Sequence, residues 1–325
     1  MIYSTILGTG SYLPEKILTN KDLEKIVDTS DQWILDRTGI KARHIAADDE
    51  TASSMAEMAS RQALEMAGLK PTDIDMIIVA TTTPDKAFPG AACILQDRLG
   101  VGICPAFALN STACAGLVCG LRIADQFIKT GKNKRVLLVG SEIMSRVVDW
   151  KDRSTCVLFG DGAGAVILGD SEEPGIVTTK IYADGAHKDI LFLPNKFGGV
   201  VAEETEFMQM QGSRLFRLAV NILGNLFDET LAEAGLKKEE IHWLVAHQAN
   251  ARIIQSMAKK LNLPMDRVPL CLEQHANTSG ASIPLVFDHI VRSGQLKKGE
   301  TVLFEAIGGG LVWGSAILNY HKALV

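Results

Sequence analysis

A chain of 325 residues is long enough for about two domains. With 47% hydrophobic and 22% charged residues and 29 glycines, it is not a disordered chain and suits a globular α/β protein with many tight turns. A formal net charge of -5 argues against general nucleic-acid binding.

No run approaches the ~18 apolar residues of a membrane span. The N-terminus lacks the basic and then apolar pattern of a secretory signal, so a cytoplasmic protein is expected. The six cysteines form neither Cys-x-x-Cys nor a zinc-ligand spacing with histidine, so free thiols and no metal are expected.

In chain order, apolar periodicity predicts a helix over 53–67 and a buried strand over 76–80. An extended run over 105–109 then leads into a helix over 115–129. Strands follow over 135–140 and 165–168. Beyond the polar turn 171–174 come helices over 215–234, 251–261 and 283–292, with strands over 243–246, 301–305 and 315–318. The alternation predicts α/β layers on largely parallel, buried sheets.

The sequence also repeats itself. Leu64-Glu-Met-Ala-Gly-Leu-Lys70 is matched by Leu231-Ala-Glu-Ala-Gly-Leu-Lys237, each with an isoleucine (Ile74, Ile241) before a strand. Phe127-Ile-Lys-Thr-Gly131 resembles Ile290-Val-Arg-Ser-Gly294, and Gly164-Ala-Val-Ile-Leu168 resembles Gly314-Ser-Ala-Ile-Leu318. Three matches in the same order point to a duplicated fold with halves 1–171 and 172–325. Counted back from Gly131 and Gly294, Cys114 and Asn277 occupy equivalent places, which directs both to one shared site.

Cys114 lies in Asn110-Ser-Thr-Ala-Cys-Ala-Gly-Leu117, between an extended run and a helix. A helix N-terminus favours the thiolate, the nucleophilic form of cysteine. His247, in Leu244-Val-Ala-His-Gln-Ala-Asn-Ala-Arg252, sits at the C-terminal end of a strand, where open α/β sheets hold ligands. Asn277 belongs to His275-Ala-Asn-Thr-Ser-Gly-Ala-Ser-Ile-Pro284. Taken singly, these residues more often serve as a buried structural cysteine, a packing histidine and a helix cap.

The ordered set is more specific. Together with Asp31-Gln-Trp-Ile-Leu-Asp-Arg-Thr-Gly-Ile40, Ala87-Phe-Pro-Gly-Ala-Ala-Cys93, Phe159-Gly-Asp-Gly-Ala-Gly-Ala165, Met210-Gln-Gly212 and Gly308-Gly-Gly-Leu-Val-Trp-Gly-Ser-Ala316, the chain resembles the β-ketoacyl-acyl-carrier-protein synthase III family along nearly its whole length. The resemblance implies a thiolase-like α/β fold of two duplicated halves, layered α/β/α/β/α with mostly parallel mixed sheets, in a homodimer. It implies decarboxylative condensation of a short acyl-CoA primer with malonyl-acyl-carrier protein, initiating fatty-acid synthesis without a metal or redox cofactor.

By the same resemblance, Cys114 carries the acyl group, and His247 and Asn277 donate hydrogen bonds to the malonyl thioester oxygen as it loses CO2. The backbone N–H groups of Cys114 and Gly309 form the oxyanion hole. Trp33, Arg37 and Arg153 match positions that hold the adenine and phosphates of CoA. Phe88 matches a position that limits acyl length, and a short primer is expected.

The acidic carrier protein is expected on Gln248, Ala249, Asn250, Ala251 and Arg252, with Arg217, Lys259 and Lys260 completing a basic patch. Arg37, Arg153 and the patch also read as solvated surface charge, and Trp33 as packing. Ser111, Thr112, Gly280, Ile307 and Leu311 depart from the commonest family pattern, which touches the acyl pocket and leaves the triad intact. A thiolase-fold synthase with a CoA-linked acceptor or a secondary-metabolite product is the nearest alternative. A papain-like hydrolase shares the chain order of the triad, but the duplicated α/β pattern speaks against it. An acyl-CoA-binding module would not need the triad.

Overall fold

The computed structural model describes residues 1–110, 112–195 and 206–322. Nine strands form its two large sheets. Those of the first sheet are β1 (Tyr3–Tyr12), β2 (Met76–Ala80), β3 (Ala106–Leu109), β4 (Arg135–Ile143) and β5 (Asp161–Ser171). The second contains β6 (Ile176–Ala183), β7 (Trp243–Ala246), β8 (Thr301–Gly308) and β9 (Val312–Asn319). The helices used below are α1 (Asp31–Thr38), α2 (Ala52–Ala67), α3 (Ala91–Leu99), α4 (Gly116–Lys129), α5 (Gly212–Ala234), α6 (Ala251–Leu261) and α7 (Ser282–Arg292).

The first sheet runs β1-β5-β4-β2-β3, and the second, read from the matching edge, runs β6-β9-β8-β7. Four strands thus recur in the same order. The repeated Ala-Gly-Leu motif has a local cause: α2 and α5 each end on a glycine in the left-handed region (Gly68 and Gly235, both φ 68), which caps the helix without a Cβ clash.

Alternation across the strands places the helices. Met76 and Ile78 of β2 share one apolar core with Leu117 and Leu121 of α4 and Val286 and Ile290 of α7. That core also takes Val302 and Phe304 of β8. On the opposite face of the first sheet, Ile77 and Val79 join Met55 and Ala59 of α2 and Leu95 of α3. On the far face of the second, Leu303 and Ile307 join Leu226 of α5 and Ile254 of α6. The layers are therefore α2/α3, sheet, α4/α7, sheet, α5/α6.

Sheet direction is mixed more evenly than expected. Parallel pairing is confined to β3-β2-β4 and β7-β8, whereas β1/β5, β4/β5, β8/β9 and β6/β9 are antiparallel. The long apolar runs of β5 and β9 report burial on both faces, which helix layers impose whatever the strand direction. Between β8 and β9 only 309–311 intervene, too few for the crossover that parallel neighbours need.

Candidate active site

Cys114 occupies a one-turn 3-10 segment, Ala113–Ala115, directly ahead of α4, and is 6% exposed. The turn carrying Gly308 packs on it. A Cβ at Gly308 would lie 2.9 Å from the Cys114 nitrogen, so this approach requires glycine. Gly309, the next residue, lines a cavity of about 690 Å³ together with Cys114, Ser279 and the apolar side chains of Met144, Phe159 and Leu191.

His247 extends β7 by one residue, its N–H donating to the Glu305 carbonyl at 2.8 Å. Its Nδ1 lies 2.6 Å from Ser282 Oγ at the start of α7, and burial pushes the imidazole down to about 3. It is therefore neutral across the physiological range. Asn277 is anchored through its backbone: its N–H donates to Leu158 O at 2.9 Å and its carbonyl accepts from Gly160 N at 3.1 Å. Its Oδ1 accepts from Ser279 N at 2.8 Å.

The segment from Asn277 to Ser282 thus connects all three candidate residues. Ser279 Oγ is 3.6 Å from Cys114 Sγ, Ser279 N holds Asn277, and Ser282 Oγ contacts His247. Cys114 reaches the open cavity. His247 and Asn277, 6% and 5% exposed, are not among its lining residues.

Two cations approach Trp33 of α1. The Arg153 guanidinium is 4.8 Å and that of Arg37 5.7 Å from its ring centroid. Arg153 also donates to the Asp28 carbonyl at 2.9 Å. Asn250 ties this cluster to α6, capping the helix by accepting from Arg252 N at 2.9 Å and donating to Arg37 O at 3.0 Å.

Residues 110–185 match the family model described as 3-oxoacyl-[acyl-carrier-protein (ACP)] synthase III, and residues 231–320 match the model of its C-terminal part. The chain is 57% identical to a β-ketoacyl-[acyl-carrier-protein] synthase III of Methylococcus capsulatus over 98% of this chain and 99% of that one. It belongs to the β-ketoacyl-acyl-carrier-protein synthase III family. The Thiobacillus denitrificans synthase III is 56% identical over 98% of this chain and all of that one. The crystal structure of 3-oxoacyl-[acyl-carrier-protein] synthase III from Aquifex aeolicus superposes with a TM-score of 0.92 at 46% identity, covering 98% and 100% of the two chains. As a synthase III family member the chain is an acyltransferase with a thiolase-type fold.

Several expectations change on this frame. Burial pushes the Cys114 thiol up to about 12, so its surroundings favour the protonated form, contrary to the thiolate expected at a helix start. Gln248 is not a surface contact: it is 1% exposed, donates to Ala246 O at 2.9 Å and accepts from the N–H groups of Cys271 and Leu272. Lys260 is occupied by Asp228 at 2.8 Å and by the Gly224 carbonyl. Arg252 and Lys259 of α6 and Arg217 of α5 are exposed, Arg252 with its guanidinium 5.6 Å from the Phe216 ring.

Phe88 is 85% exposed and is not among the cavity's lining residues, although its neighbour Ala87 is. Ser111 lies outside the described residues. Sequence reasoning passed over Ser279, Ser282 and Glu142. The first two stand inside the quoted Asn277 motif, and only the tight turn shows what they touch.

Proposed function

We propose that this protein condenses a short acyl-CoA, acetyl-CoA first among candidates, with malonyl-acyl-carrier protein. The products are 3-ketoacyl-acyl-carrier protein, CO2 and CoA, and the reaction initiates fatty-acid synthesis. The observation that carries the reading is the convergence of Cys114, His247 and Asn277 on the 277–282 turn beside an apolar cavity.

In this reading the Cys114 sulfur attacks the acyl-CoA carbonyl and CoA leaves. The backbone N–H groups of Cys114 and Gly309 receive the oxyanion. The malonyl thioester then decarboxylates, and its enolate carbon attacks the acyl-cysteine. In the tautomer this reading requires, the Ser282 hydroxyl donates to His247 Nδ1 while accepting from Gln248 N–H at 3.3 Å, and the ring proton is on Nε2. With Oδ1 occupied, Asn277 presents Nδ2. Two neutral donors then meet the thioester oxygen where charge develops. Loss of the carboxylate supplies the carbanion, so the chemistry calls for no metal or redox cofactor.

Trp33, Arg37 and Arg153 form the CoA site in this proposal, and Arg252, Lys259 and Arg217, flanked by Ala249, Asn250 and Ala251, dock the carrier protein. The protein works as a cytoplasmic homodimer of chains divided near Ser171 into two duplicated halves. Phe88 bounds the acyl pocket only in that dimer, where a second protomer covers its exposed ring. Among the described residues, no helix is long and apolar enough to cross a membrane.

The test is intact-mass analysis after mixing with acetyl-CoA. An acetyl adduct that disappears in Cys114→Ala supports the reading. An undiminished adduct in that variant overturns it.

A further inference from the structure

The condensation assigns no destination to the Cys114 proton. Burial favours the protonated thiol, and His247 Nδ1 is engaged by Ser282. The thiol does have a hydrogen-bond partner. Cys114 Sγ donates to Ser279 Oγ at 3.6 Å, and the Ser279 hydroxyl donates to Glu142 Oε1 at 3.1 Å.

Glu142, near the end of β4, is completely buried. Its carboxylate accepts from Thr82 N at 3.0 Å, Thr82 Oγ1 at 2.9 Å and Thr83 Oγ1 at 2.8 Å. Thr83 Oγ1 accepts from Ile143 N at 2.8 Å, and its own proton is available to the carboxylate. Neighbours that all supply hydrogens suit an acceptor-only, ionised carboxylate. Burial acts the other way and raises its proton affinity. These opposing influences suit a group that must take up a proton and return it.

We propose that Glu142 is the proton acceptor of the acylation half-reaction, reached through the Ser279 hydroxyl. This rests on the reading of Cys114 as nucleophile. As the sulfur electron pair forms the C–S bond to the acyl carbon, the thiol proton passes to Ser279 Oγ. The Ser279 proton passes to Glu142 Oε1 at the same time. When the tetrahedral intermediate collapses, the bond from the acyl carbon to CoA sulfur breaks and its electron pair stays on that sulfur. Ser279 protonates the departing thiolate and is refilled from Glu142. The sum is Cys–SH plus acyl-S-CoA giving acyl-Cys plus CoA–SH, with Ser279 and Glu142 unchanged.

Electrostatics favours this route over a preformed thiolate. A thiolate beside an ionised Glu142 would place two negative charges in one buried site. Transfer along the relay keeps one negative charge throughout and only moves it. Ser279 touches the reacting sulfur and is catalytic in this scheme, whereas Glu142 acts through it.

The experiment measures the burst of Cys114 acylation by acetyl-CoA from pH 5.5 to 9.5 in wild type, Glu142→Gln, Glu142→Asp and Ser279→Ala. Circular dichroism and melting temperature report folding. Gln cannot take the proton. Ala at 279 removes the hydroxyl but keeps the backbone N–H that holds Asn277. At pH 7 the burst rate should fall ~10²-fold or more in Glu142→Gln and Ser279→Ala. It should then rise about tenfold per pH unit, as hydroxide replaces the relay, while Glu142→Asp recovers part of the rate.

A folded Glu142→Gln whose profile matches or merely parallels the wild-type curve would show a structural carboxylate and overturn the proposal. If Glu142→Gln does not fold, a wild-type profile in Ser279→Ala overturns it equally. Failure of the nucleophile reading looks different: the adduct would survive in Cys114→Ala.

Discussion

The Ser279 backbone N–H donates to Asn277 Oδ1 at 2.8 Å, and this bond decides which end of the Asn277 amide is free. The contact is an Asx turn: Thr278, at φ -93 and ψ 26, carries the N–H two residues on back to the Asn277 side chain. A carbonyl turned toward the substrate would repel a developing enolate, whereas the amide nitrogen supports it.

Asn277→Asp tests that orientation with almost no change in volume, since it converts the free donor into an acceptor. CO2 release from the malonyl thioester should fall ~10²–10³-fold, the usual loss for one pre-positioned donor. Burst acylation of Cys114 should stay within about tenfold of wild type. The two rates are read from 14C-labelled CO2 and labelled acetyl-CoA. Equal losses in both would place Asn277 in nucleophile activation instead.

His247 should leave no mark on the pH profile of decarboxylation near its ordinary value. Burial depresses its folded pKa to about 3, so the ring is already neutral at pH 5 and stays neutral at pH 8. CO2 release by pre-acylated enzyme should be flat from pH 5 to 7.5 on account of this group. An ascending limb centred near 6.5 that vanishes in His247→Ala would show a titrating imidazole and refute the neutral donor.

Docking of the carrier protein separates free cations from paired ones. Arg252→Glu with Lys259→Glu should raise the KM for malonyl-acyl-carrier protein about tenfold at low salt and flatten its salt dependence. Lys260→Ala should change it less than about twofold, because Asp228 already neutralises that ammonium. Steady-state kinetics at several ionic strengths, beside acylation from acetyl-CoA, gives the comparison. A Lys260→Ala effect equal to that of the double variant would move the docking surface toward α5.

What was legible in the sequence follows from periodicity and local chemistry. The strands over 76–80 and 243–246 and the helix over 251–261 were read to the residue, since burial on both faces or on one clean stripe leaves a strong pattern. β1 was not read, because Gly8 and Gly10 interrupt its apolar run. A Cβ at Gly8 would meet the Ala63 carbonyl at 2.3 Å, so those glycines serve the α2 contact and not the strand. Cys114, His247 and Asn277 carried recognisable motifs. The Cys114 environment did not, because desolvation depends on the packing of 277–282 and 308–310, which no local segment encodes. Gln248 misled for the same reason: polar in sequence, it is used internally to hold 271–272.

Glu305, whose backbone carbonyl holds His247 N–H, offers a stability test through its side chain. It lies on β8 between Phe304 and Ala306, which face the central helix layer, so its side chain faces the α5/α6 layer. It is 1% exposed and its Oε1 has no hydrogen-bond partner. Burial holds its pKa well above the carboxylate range, more than the opposing influence of Lys260 restores. Because the folded pKa exceeds the unfolded one, unfolding releases a proton at any pH between the two. Stability is therefore undiminished below the unfolded value near 4.5 and is lost as pH rises toward the folded value, by at most ~1.4 kcal/mol per pH unit. Glu305→Gln keeps the shape and removes the titration. Compared at constant ionic strength, the variant should match wild type or be slightly less stable at pH 4.5, then gain on it as pH rises until the folded value is passed. Urea unfolding at pH 4.5, 6 and 8 reads the difference directly. A gap that stays constant with pH would mean that Glu305 ionises in the folded protein as freely as in the unfolded chain.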